Sequence, residues 1–359
     1  MTRIWAAVAM ALVTMACADA RVPLTIHDGG RSVRDSDGAL RSGWPGVYYE
    51  ARFNGTAVRV GVETRRETVR VLIDGVEKTR LARPFSGYLI LDDLAPGDHV
   101  VRLERLTESQ PGEIRFLGFD IAEGRALPPP AARAKRIEFI GDSHSVGYGN
   151  TSPTRDCDGD RVHATTDTQQ AFGPLLAKRL DADYRVIAWS GFGVVRNYAG
   201  NVPGESLPSI YARAIPGEPA SAAPEGWKPQ LIVIYLGTND FSTPVKPGEA
   251  WADDAALRAA WRTRYIAFIA DLRKRQPQAR FVLMGADNFL ADLRQVAEAS
   301  GNVTLLRVPA MEMTGCNWHP SLKDHRMLAD ILQESVSSIS NLWNSSEVLL
   351  PLDGDGSIG

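Results

Sequence analysis

Apolar positions change their spacing once along the chain. Between Trp44 and Ile121 they fall in short alternating or continuous segments: Ala57 to Val62, Thr68 to Ile73, Tyr88 to Leu91 and His99 to Leu103. Asn54-Gly55, Asp74-Gly75 and Pro96-Gly97-Asp98 separate them. A period near two, broken by such turns, predicts an antiparallel β-sandwich over residues 21–123, with hairpins at the Asn-Gly and Asp-Gly sites.

Residues 124–134, with three consecutive prolines, read as a stiff linker. From 135 to 345 the pattern becomes strand alternating with helix. Apolar runs at Ile137 to Ile140, Tyr184 to Trp189, Leu231 to Leu236, Phe281 to Gly285 and Val303 to Arg307 predict a five-stranded parallel sheet. Gln169 to Leu180, Trp251 to Arg275, Asn288 to Ala299 and Ser321 to Ile339 have helical periodicity and crossover length, which makes a three-layer α/β/α domain. Pro320 suits the first position of the last helix. The Gly- and Asp-rich residues 346–359 are expected to form a flexible tail.

The first twenty residues do not fit a core. Arg3, the apolar stretch Ile4 to Ala16 and Ala18-Asp19-Ala20 read as a secretory signal peptide, too short to span a bilayer. That predicts a secreted or periplasmic protein. Lipid anchoring at Cys17 is the alternative, set against it by Thr14 where an aliphatic residue is usual. A net charge of −3 without long basic runs argues against a dedicated nucleic-acid binder.

Candidate chemistry gathers at strand ends. Gly141-Asp142-Ser143 follows the first α/β strand, Gly237-Thr238-Asn239-Asp240 follows the third, and His319 precedes the last helix. A serine after a strand is ordinary turn chemistry by itself. A serine, an asparagine amide and a histidine on one edge of a parallel sheet can together supply nucleophile, oxyanion donor and general base. Asp142 reads as a turn-fixing side chain and Asp240 as a structural partner of the same loops. His144, His163 and His325 form no metal-ligand spacing with the cysteines, so no metal and no cofactor is expected.

These blocks, with Ser190-Gly191-Phe192-Gly193 after the second strand, resemble the SGNH (GDSL-type) hydrolases. Gly141 to Asn150 and Cys316-Asn317-Trp318-His319-Pro320-Ser321 are similar to the motifs of carbohydrate esterase family 2. The resemblance implies a jelly-roll-like sandwich before an SGNH domain, and a serine esterase removing O-acetyl groups from xylan- or glucomannan-type sugars, with a preference for the 6-hydroxyl. It implies Ser143 as nucleophile, His319 as base, and an oxyanion hole from the Ser143 N–H, the Asn239 amide and either Gly191 or Gly193. Another SGNH lipase or thioesterase, or a non-catalytic carbohydrate-binding protein, are the alternatives.

If Ser143 and His319 meet, the loops carrying Cys157 and Cys316 approach each other, and a disulfide is expected, two free thiols being the alternative. One departure stands out. Cys316 and Asn317 occupy the positions three and two before His319, where relatives carry aspartate, so a Ser-His dyad is expected, its Nδ1–H held by the carbonyl of Trp318 or a neighbour. Trp318, Phe241 and Tyr148 are expected to contact sugar, and Trp189 to pack in the core.

Overall fold

The computed structural model describes residues 21–82, 84–110 and 112–344. The expected signal peptide, Cys17 and the 346–359 tail lie outside the described residues. No helix among the described residues is long and apolar enough to cross a membrane.

Among the described residues, twelve strands build the N-terminal domain: β1 (Val22–Pro23), β2 (Ile26–Gly29), β3 (Val33–Arg34), β4 (Leu40–Ser42), β5 (Tyr48–Gly55), β6 (Val58–Thr64), β7 (Val69–Ile73), β8 (Val76–Leu81), β9 (Phe85–Leu91), β10 (Gly97–Arg105), β11 (Ile114–Ile121) and β12 (Arg125–Leu127). One sheet runs β3-β4-β11-β6-β9 with β1 beside β11, and the other β12-β5-β10-β7-β8 with β2 beside β5. Val60, Val62, Val71, Leu103, Phe116 and Phe119 fill the space between them. Alternating burial along β7, Val69, Val71 and Ile73 inward, is the pleat read in the sequence.

Two expectations need correction here. Asp74-Gly75 does close a hairpin, both residues having positive φ (51° and 80°), between the paired strands β7 and β8. Asn54-Gly55 does not. β5 pairs with β10 and β6 with β11 and β9, so the chain at Asn-Gly crosses from one sheet to the other. The expected linker 124–134 is also shorter than its composition implies, because Arg125 to Leu127 add a strand to β5.

The second domain holds β13 (Lys135–Gly141), β14 (Ala182–Ala188), β15 (Leu231–Tyr235), β16 (Arg280–Gly285) and β17 (Val303–Arg307), all parallel, in the order β14-β13-β15-β16-β17. Its helices are α1 (Ser143–Val146), α2 (Gly159–Thr165), α3 (Phe172–Arg179), α4 (Leu207–Ile210), α5 (Thr238–Phe241), α6 (Asp254–Arg275), α7 (Leu290–Ser300) and α8 (Leu322–Ser337). Ser321, not Pro320, caps the start of α8: its hydroxyl and the Asp324 carboxylate close a capping box, leaving the proline just before the cap and not at the first helical position. β13 and β15 are buried along nearly all their length, which is why they read as unbroken apolar runs.

The domains share a packed, polar seam. Trp44 is fully buried and its indole N–H donates to the Arg213 carbonyl at 3.0 Å. Asp183 in β14 accepts from the Tyr48 hydroxyl at 2.8 Å and from the Arg133 backbone at 2.9 Å, and meets the His27 ring at 2.8 Å. These donors outweigh burial and bring its pKa down to about 2.

Candidate active site

β13 ends at Gly141, and Asp142 turns the chain into α1, accepting the His144 backbone N–H at 3.0 Å as N-cap. Ser143 is the first residue of that helix. As a first-turn group its backbone N–H has no intrahelical acceptor, and it forms no hydrogen bond among the described residues. Ser143 Oγ lies 2.9 Å from His319 Nε2.

His319 is held from the other side by backbone alone. Its Nδ1 lies 3.0 Å from the Cys316 carbonyl and 3.1 Å from that of Asn317. Asn317 and Trp318 both have left-handed backbones (φ 48° and 56°), and this tight turn brings both carbonyls round onto the ring. Of the expected acceptors, Trp318 or a neighbour, the neighbours Asn317 and Cys316 take the bond. With Nδ1–H donating to these carbonyls, Nε2 is the free base facing the serine. Burial lowers the imidazole pKa from its ordinary value, against the pull of the two carbonyls.

Cys316 is disulfide-bonded to Cys157, 159 residues away. Gly149 lies under this bridge with φ +55°; a Cβ there would meet the Cys316 Cβ at 2.3 Å, so only glycine lets the strap pass. Arg155 fastens the same corner by donating to the Met313 and Glu312 carbonyls.

The structure separates the two glycines. The Gly193 N–H donates to Asn197 Oδ1 at 3.1 Å, and its loop curls round Asp240, which collects the N–H groups of Val194, Val195 and Arg196. Gly193 therefore has no donor to offer. Gly191 lines the cleft with φ +85°, and its N–H makes no hydrogen bond among the described residues. Asn239 also lines the cleft, but its amide already donates to Asp142 Oδ2 at 3.0 Å and to the Phe192 carbonyl at 2.9 Å. It reaches an oxyanion only by sharing or exchanging one of these bonds. Burial pushes the Asp142 pKa up to about 7.

A cleft of about 670 Å³ opens in front of Ser143, lined among others by Tyr148, Trp189, Phe192, Asn197, Tyr198 and Asn317. Trp189, one residue past the end of β14, packs against the core as expected and also lines this cleft. Phe241 goes the other way: it packs on Trp261 and Phe289 (centroids 5.3 and 6.2 Å), with the Arg258 guanidinium over its ring, and is not among the lining residues. α5 carries Asn239 toward the cleft and so turns Phe241 inward. Trp318 is 66% exposed between two lining residues without itself lining the cleft. Tyr148 does line it, and stacks on the His319 ring at 4.2 Å.

Two lining residues could not be found from motifs. Glu108 and Gln110 come from the sandwich, between β10 and β11, and no spacing in the sequence ties them to Ser143. Among the described residues, no group of three or more His, Cys, Asp or Glu is placed to hold a metal ion.

Comparison with known proteins agrees with this architecture. Residues 29–130 match the carbohydrate esterase 2 N-terminal domain, and residues 139–335 the GDSL-like lipase/acylhydrolase family. The chain is 38% identical over 342 residues to an acetylxylan esterase / glucomannan deacetylase of Cellvibrio japonicus, covering 91% of this chain and 94% of that one. A solved carbohydrate esterase, described as displaying divergent catalytic and non-catalytic binding functions, superposes with a TM-score of 0.79 at 36% identity, covering 90% of this chain and all of that one. The family two carbohydrate esterase from Clostridium thermocellum, solved with cellohexaose, gives 0.76 at 27% identity, covering 87% and 98%. The chain belongs to the GDSL-like acylhydrolases, and within them to carbohydrate esterase family 2.

Proposed function

We propose that this esterase removes O-acetyl groups from hemicellulose-type carbohydrates, with Ser143 as nucleophile and His319 as its base. The observation that carries the reading is the 2.9 Å contact between Ser143 Oγ and His319 Nε2, with Nδ1 tied to two carbonyls on the opposite side. As Oγ attacks the acetyl carbon, Nε2 takes its proton and the carbonyl oxygen becomes an oxyanion. The unpaired N–H groups of Ser143 and Gly191 are its first donors, and Asn239 joins by releasing the Phe192 carbonyl. On collapse, Nε2 returns the proton to the sugar hydroxyl that leaves. Water, deprotonated by the same nitrogen, then attacks the acetyl-enzyme and frees acetate.

The cleft chemistry supports an uncharged polar substrate. Trp189, Tyr148 and Tyr198 offer ring faces, while Asn201 and Asn317 offer amides, the combination that a pyranose with apolar faces and hydroxyl edges requires. Among the described residues no lysine or arginine lines the cleft, so a phosphorylated ligand would find no cationic partner in that lining. Export by the expected signal peptide to the periplasm or outside the cell accords with the Cys157–Cys316 bridge.

The test is acetate release from acetylated xylan, acetylated glucomannan and 4-nitrophenyl acetate, with 4-nitrophenyl butyrate beside them. Activity on the acetyl esters that Ser143→Ala abolishes is expected. Preference for the butyryl ester would favour a lipase-like reading, and no release by the wild-type chain would remove the catalytic one.

A further inference from the structure

The hydrolase domain supplies the reacting groups, yet one side of the cleft is made by the sandwich. That side is a braced loop. Arg105, fully buried at the end of β10, donates from one guanidinium to the carbonyls of Ser42, Thr107, Glu108 and Gly112. Five donors in a rigid fork, aimed at main chain, fix the course of the segment that follows. The loop is then fastened to the hydrolase beside the Gly191 donor: Gln110 Nε2 donates to the Ser190 carbonyl at 2.9 Å, and Ser109 Oγ to that of Ala188 at 3.4 Å.

What this brace presents is the Glu108 side chain. Glu108 is 9% exposed and lines the cleft with Ser143 and His319, where it is the only carboxylic acid among the described residues. It lines the neighbouring hollow of about 260 Å³ as well, with Gln110 and Tyr148. No Lys, Arg or His makes an ion pair with it among the described residues. The nearby Arg105 is turned to carbonyls and favours the carboxylate only by proximity. Desolvation dominates and pushes the Glu108 pKa up to about 7, against the Ser190 hydroxyl and that guanidinium. A buried carboxyl without a basic partner is costly, and a cleft is where such a group finds use.

Resting on the carbohydrate-esterase reading, we propose that Glu108 is a substrate-binding residue: its carboxyl, supplied by the sandwich, takes hydroxyl groups of the sugar whose acetyl ester is cleaved at Ser143. A polyol edge suits it. Sugar hydroxyls donate to a carboxylate in a charge-assisted bond, and no cation is needed to seat an uncharged ligand. The sandwich is then part of the specificity machinery, and Arg105 is the positioning residue behind it.

The test compares full-length wild type with Glu108→Gln and Glu108→Ala, taking kcat/KM on a mono-O-acetylated methyl hexopyranoside and on 4-nitrophenyl acetate, whose leaving group has no sugar hydroxyls. The ratio of the two efficiencies is the readout. It is expected to fall tenfold or more in Glu108→Ala and less in the isosteric Glu108→Gln, with the loss carried mainly by KM. If Glu108→Ala fails to fold, Glu108→Gln alone decides. An unchanged ratio, or an equal loss on both esters, overturns the proposal. Wild-type chain that cleaves the nitrophenyl ester and no acetylated sugar would instead remove the carbohydrate reading, and this inference with it.

Discussion

The carbonyl oxygen 3.0 Å from Nδ1 of His319 belongs to Cys316, one half of the bridge to Cys157. The base is thus oriented by main chain that a covalent strap holds in place, where a carboxylate would do so in a full triad. Replacing both cysteines by serine is expected to lower stability by about 2–5 kcal/mol, as for long-range bridges generally. It should also lower kcat more than it changes KM, since the carbonyls lose their anchor. Calorimetry and steady-state kinetics check both; an unaltered kcat would show that the turn holds without its strap.

Burial keeps the His319 pKa below the ordinary imidazole value. The neutral form is the base, so it stays competent to a lower pH than an exposed histidine would. The acid limb of kcat/KM on 4-nitrophenyl acetate is expected to have its midpoint below 6.5, the value for a free imidazole. A midpoint above 6.5 would mean that a charge not seen beside the ring stabilises the imidazolium.

Gly191 and Gly193 should fail in different ways. At Gly191 a Cβ meets nothing within 4 Å, and the penalty is the positive φ, so Gly191→Ala tilts a donor and is expected to cost about tenfold or more in kcat with a small change in Tm. At Gly193 a Cβ would meet the Arg196 carbonyl oxygen at 2.2 Å and the Asp240 carboxylate at 2.4 Å. Gly193→Ala is therefore expected chiefly to lower Tm. A kcat loss confined to Gly193→Ala, at native Tm, would reverse the assignment.

Asn317 stands where the family resemblance implied an acid, yet its side chain meets the Tyr148 hydroxyl at 3.2 Å and not the imidazole. Asn317→Asp is expected not to raise kcat, because the new carboxylate would face the phenol. A rise of tenfold would mean that the side chain can turn to Nδ1 and complete a triad.

Much of this was readable because periodicity and strand-end residues are local signals. All five parallel strands lie where apolar runs placed them, and Ser143, Asn239 and His319 converge where the motif order required. The failures share a cause. Asn54-Gly55 carries hairpin chemistry, but which sheet accepts β6 is decided by partners far along the chain. Phe241 left its expected place because the sense of a short helix reverses a side chain, and Trp189 gained a cleft-facing side beyond its expected core packing because it stands one residue past a strand end. Glu108 had no local signature at all: a lone glutamate after a strand looks like any surface charge until a second domain closes over it.

The Asp183 seam has a consequence for how such chains can be recombined. Tyr48, His27 and Arg133 converge on one carboxylate of the catalytic sheet, and Trp44 is buried in the core with its indole on the Arg213 carbonyl. A hydrolase cut free at residue 135 would keep its nucleophile and base but bare an apolar hole and strand a buried anion without its donors. The sandwich is therefore not a detachable accessory, and the two halves should be engineered as one piece.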